Sequence, residues 1–106
     1  MANGDITKEI EYDKIEVVNA WSVQVRKATK IMEENADGSK TELSRSFHRH
    51  VLQPFKSVKG DDGNWRHTAT DISAENAAVQ AIANAAWTDS VKDSYKVMRE
   101  ATDDIL

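Results

Sequence analysis

The sequence predicts an α+β fold: an antiparallel β-meander of three to four strands in the first half, followed by two C-terminal helices packed on one face. Three observations predict it. Apolar side chains recur with a period of two from Trp21 to Ile31, an Asp37-Gly38 turn lies between two strand-like runs, and the period changes to 3.6 from Val79 onward. A length of 106 residues, 40% of them hydrophobic and 30% charged, suits one folded domain spanning residues 1–106.

Upstream of Trp21, Ile6, Ile10 and Tyr12 share even parity while Ile15 and Val17 are odd, so the alternation slips at Asp13 and Lys14. A bulge, or a break between two short strands, would absorb that slip. The next run is the clearest strand: Trp21, Val23, Val25, Thr29 and Ile31 take odd positions, and Ser22, Gln24, Arg26 and Lys30 the even ones. Asn35 to Ser39 then supplies Asp-Gly, whose glycine accepts the positive φ of a tight reversal. Leu43, Phe47 and Val51, spaced by four, share one face of a run from Thr41 to Leu52; a helix would also bring them together, but the β-branched and aromatic residues and the preceding turn favour a third strand, closed by Pro54, which cannot donate to a ladder. After the polar loop Gly60 to Asn64, a short fourth strand is expected from Trp65 to Thr68.

Val79, Ile82, Ala83, Ala86 and Trp87 follow helical spacing, with Ser73 as the expected N-cap and Ile72 against Ala77 as a staple. A second stripe of Val91, Tyr95, Met98, Thr102 and Ile105 begins after Thr88, whose hydroxyl suits a new cap. One bent helix and two separate ones both satisfy this pattern. The strands are joined too tightly to admit crossover helices, which disfavours a purely helical or doubly wound parallel arrangement.

With no cysteine, the chain has neither disulfides nor thiolate nucleophiles nor cysteine-ligated metal sites. Met1 to Asp5 lack a secretory signal's basic start and apolar run, and no stretch approaches the ~18 apolar residues that span a bilayer. A soluble protein made in the cytoplasm, without a membrane partner, is the expectation. Net charge is -4, with 10 Lys/Arg against 9 Asp/Glu in residues 1–60 and 4 against 9 in residues 61–106. That acidity argues against nucleic acid as a partner unless a basic face compensates.

Two sets of side chains offer chemistry. His48 and His50 lie two apart on the third strand, so their imidazoles share a face with Cα atoms about 6.6 Å apart. If the polar loop folds back, His67 completes a three-histidine site for zinc, with water in the fourth position. The alternative is a solvent-facing strand, and Gln53 stands where a cupin-like motif needs an acid. Arg45 and Arg49, with Arg26, Lys27 and Lys30, outline a basic patch suited to single-stranded nucleic acid, or to cross-strand pairing with Glu11, Glu16, Glu33 and Glu42. There is no glycine-rich phosphate loop, serine elbow or calcium loop.

Several segments resemble a group of small uncharacterised proteins of marine cyanophages: Lys14 to Val18 (KIEVV), Val23 to Arg26 (VQVR), Ser44 to Val51 (SRSFHRHV), Asp71 to Ser73 (DIS), and Thr88-Asp89 before Val91. The chain is longer than those proteins at Ala36 to Lys40 and Lys56 to Asn64. The resemblance implies phage provenance and carries no site residue with it.

The sequence therefore supports a non-enzymatic structural or interaction protein, as a phage accessory or virion-associated component, acting by self-association or with another protein. The sheet edge or an uncovered sheet face would make the contact, with Phe55 and Trp65 as surface anchors. A hydrolase or metal-binding protein built on His48, His50 and His67, and a single-stranded nucleic-acid-binding module, are the alternatives.

Overall fold

The computed structural model describes residues 4–105, with side chains as far as Ala101. It is an α+β arrangement of five strands and two helices: β1 (Ile6–Val18), β2 (Ser22–Glu34), β3 (Lys40–Leu52), β4 (Phe55–Lys59), β5 (Trp65–Ala69), α1 (Ala77–Ala86) and α2 (Asp89–Ile105). The first three strands form an antiparallel sheet in the order β1-β2-β3, and β4 pairs with β5 as a separate hairpin. The expected fourth strand is thus present as β5, but Phe55–Lys59 supplies its partner, so it does not extend the meander.

The chain divides into two compact units, Met1–Ile15 with Val25–His50, and Glu16–Gln24 with Val51–Leu106. The three long strands contribute residues to both. Among the described residues unit one contains no helix, and it holds most of the three-stranded sheet. Unit two holds both helices, the β4-β5 hairpin and the β1-β2 turn.

Both Asp-Gly hairpins close alike. Asn35 N–H donates to Ser39 O (2.8 Å) and Gly38 N–H to Asn35 O (3.0 Å), and in the other loop Gly60 N–H donates to Asn64 O (2.8 Å) and Gly63 N–H to Gly60 O (3.0 Å). Gly38 and Gly63 sit at φ 88° and 81°, where a Cβ would strain the backbone. Asp37 and Asp62 each accept the N–H two residues on, and the Ser39 hydroxyl and N–H hold the Asp37 carboxyl below its ordinary range.

The β1-β2 connection is different, because Asn19 and Ala20 themselves have φ 58° and 70°. Type I′ hairpin turns need two such residues, and an alanine pays about 1–2 kcal/mol to adopt it. Ala20→Gly is therefore expected to stabilise the chain by about 1 kcal/mol in denaturant titrations. A loss of stability would show that the Ala20 methyl makes contacts outweighing the strain.

The slip expected at Asp13 and Lys14 does not break the strand, since β1 runs unbroken through both. Helix α1 begins later than expected, with Asn76 rather than Ser73 at its N-cap: Asn76 Oδ1 accepts Ala78 N–H at 2.9 Å. Ser73 instead sits in an Asx turn on Asp71. The two helices are separate, with Trp87 N–H closing α1 on Ala83 O (2.9 Å) and Thr88 capping α2 through Val91 N–H (3.3 Å). Val79, Ala83, Trp87 and Tyr95 are buried on the stripes that the spacing gave them. The side chains of Thr102 and Ile105 lie outside the described residues.

The core of unit two is centred on Val23, Val79, Ala83, Trp87 and Tyr95. Trp87 Nε1 donates to Trp21 O at 2.7 Å, Trp21 meets Tyr95 edge-on (centroids 5.9 Å), and Ser22 Oγ bonds Gln53 Oε1 at 3.0 Å. Val25 and Ala28 are the buried apolar residues of unit one.

Candidate interaction surface

Sheet order leaves β1 and β3 as edges. β3 is the more open of the two: every residue from Lys40 to Arg49 is exposed, whereas β1 is partly covered at Thr7, Glu9, Tyr12, Asp13, Ile15 and Val18. The shared face of Leu43, Phe47 and Val51, spaced by four, is the one expected to be buried, but they are 52%, 45% and 52% exposed. Their spacing fits a helix as well as a strand; the β-branched and aromatic residues and the preceding turn point to the strand that is observed, and spacing does not state whether a layer covers that face. An edge strand presents N–H and C=O groups along its outer side, a template for pairing with another chain. β3 offers 13 residues with neither proline nor glycine to interrupt that template.

The cations of this sheet are largely compensated. Arg26 grips Asp13 through Nε (3.0 Å) and Nη2 (2.8 Å), Lys30 meets Glu11 at 2.9 Å, Lys40 meets Glu9 at 2.9 Å, and Arg45 meets Glu42 at 2.7 Å. Arg26 and Arg49 also flank the Phe47 ring, 4.6 Å and 5.8 Å from its centroid. Glu11 and Glu42 are thus partners expected from the sequence, and the side of the sheet carrying Arg26, Lys30 and Arg45 has mixed charge rather than being a basic patch.

Those hydrogen bonds from Arg26, Lys40 and Arg45 hold the carboxyls of Asp13, Glu9 and Glu42 below their ordinary values. A carboxyl depressed by folding contributes stability above its unfolded pKa and loses it as pH falls through the folded one. Thermal midpoints are therefore expected to fall below about pH 4, and Asp13→Asn to flatten that dependence. A midpoint unchanged on acidification would rule out a stabilising role for these pairs.

His48 and His50 share a face of β3, with ring centroids 6.0 Å apart. They belong to unit one and His67 to unit two. His67 is 11% exposed in its side chain, lies flat on Trp65 (centroids 6.0 Å, interplanar angle 5°), and has partners on both ring nitrogens: Ser57 Oγ at 2.7 Å from Nδ1 and Glu100 Oε2 at 2.8 Å from Nε2. Among the described residues no group of three or more histidine or carboxylate side chains is placed to hold a metal ion.

The Ser57-His67-Glu100 chain was not foreseen, because Ser57 lies on the unforeseen strand β4. The register Ser57↔His67 sets the two side by side, and α2 contributes Glu100. A carboxylate can only accept, so a neutral His67 carries its proton on Nε2 and takes the Ser57 hydroxyl proton in a hydrogen bond at Nδ1. Around it, Phe55 and Trp65 are half-buried under Lys96 (4.7 Å from the Phe55 centroid) and Arg99 (5.7 Å from that of Trp65). Phe55 and Trp65 are therefore packing residues of unit two, not the open surface anchors expected from the sequence. The polar chain ties the hairpin to α2.

No helix among the described residues is long and apolar enough to cross a membrane. Comparisons of the chain with protein-family models, with curated proteins and with solved structures returned no match.

Proposed function

We propose that the chain is a non-enzymatic assembly protein that works by self-association, with the outer edge of β3 as its joining element. The observation that carries this reading is the unbroken exposure of Lys40 to Arg49 on an edge strand, with Leu43 and Phe47 open to solvent. The phage-like segments noted above suit an accessory or virion-associated component, made in the cytoplasm as a soluble subunit.

Native mass spectrometry and sedimentation velocity over a concentration series test it. A discrete multimer that loosens on dilution is expected, and Leu43→Lys should shift it toward the single chain without changing the circular dichroism spectrum. A single-chain mass at every concentration would sink the reading.

A further inference from the structure

We infer that the occupant of the β3 edge is a second copy of β3, antiparallel about a twofold axis through Ser46, so that two three-stranded sheets join as one sheet of order β1-β2-β3-β3-β2-β1. This rests on the assembly reading above and adds the partner element, its direction and its register.

Symmetry narrows the choices first. Antiparallel neighbours related by a twofold must have that axis normal to the sheet, which keeps each face on its own side. Only residues of equal parity then stand opposite one another, and allowed registers are centred on a single residue.

Charge selects among them. Centred on Arg45, the register sets Arg45 against itself; centred on Phe47, it sets Arg45 opposite Arg49. Both oppose like charges directly, which destabilises a strand pair. Centred on Ser46, Glu42 stands opposite His50 of the second copy, Arg45 opposite Phe47, Leu43 opposite Arg49, and Ser44 opposite His48. No like charges stand directly opposite one another, and arginine stems and guanidinium faces lie against Phe47 and Leu43.

Length selects the same register. It places Lys40 opposite Leu52, so the whole of β3 is paired. The ladder is then bounded at one end by the Asn35 to Ser39 turn and at the other by Pro54, which has no N–H to continue it.

The absence of cysteine allows a clean test by single-cysteine variants bridged with a short bis-maleimide. Ser46→Cys is expected to give a covalent dimer in high yield, because its Cβ faces its own copy at about 5 Å. Lys40→Cys alone should not bridge, since twelve residues of strand separate it from its copy by about 40 Å. A mixture of Lys40→Cys and Leu52→Cys chains should bridge to each other.

Bridging of both Ser46→Cys and Lys40→Cys to themselves would mean parallel pairing and overturn the inference. A multimer in native mass spectra whose Ser46→Cys variant does not bridge would overturn the register while leaving the assembly reading intact. A single-chain mass would overturn both.

Discussion

Replacing Trp87 by alanine is expected to cost about 4 kcal/mol, a large share of the roughly 5–15 kcal/mol that holds a domain of this size. Trp87 is 8% exposed, ends the Val79-Ala83-Trp87 stripe of α1 and makes a side-chain hydrogen bond to a residue 66 positions away, Nε1 to Trp21 O at 2.7 Å. Truncation removes the ring from the core and leaves the Trp21 carbonyl without its donor, so cavity and desolvation costs add. Trp87→Phe separates the two. It keeps most of the ring and loses only the N–H, for an expected cost of about 1–2 kcal/mol. Urea unfolding followed by circular dichroism measures both. A Trp87→Ala variant within about 1 kcal/mol of the parent would show that α1 is held to the β1-β2 turn by something other than this residue.

Trp87 also marks how far the sequence could be read. Its place on a helical stripe follows from spacing alone, as do Val79, Ala83 and Tyr95, because a period of 3.6 states which side of a helix is covered. The hairpin at Asp37-Gly38 follows from turn chemistry in the same way. The second hairpin carried the same chemistry at Asp62-Gly63, but Phe55 to Lys59 is a short strand with lysines at both Lys56 and Lys59, too polar for its alternation to stand out.

β3 posed the opposite problem. Leu43, Phe47 and Val51 share one face of the strand, with Arg45 and Arg49 between them, yet parity reports only which residues share a face. Whether a layer covers that face is a property of tertiary packing. The same limit applies to the candidate sites. Residues two apart on one strand, His48 and His50, come together as spacing requires. Ser57, His67 and Glu100 depend on strand register and on where α2 lies, and neither is written in local spacing.

Because His67 joins Ser57 to Glu100 through both ring nitrogens, replacing it should cost more than replacing either partner. His67→Ala removes a hydrogen bond at each ring nitrogen and the stacked face on Trp65, from a side chain only 11% exposed, for an expected loss of about 3 kcal/mol. Ser57→Ala should cost about 1 kcal/mol, and Glu100→Gln less than that, since the Glu100 side chain is 48% exposed and water screens its pair. Ser57 and Glu100 lie on different elements and are linked through the imidazole, so their double-mutant coupling should vanish once His67 is alanine. If instead His67→Ala cost no more than Ser57→Ala, the imidazole would not be what fastens the hairpin to α2. The aromatic and cationic contacts of Phe55, Trp65, Lys96 and Arg99 would then have to supply that attachment by themselves.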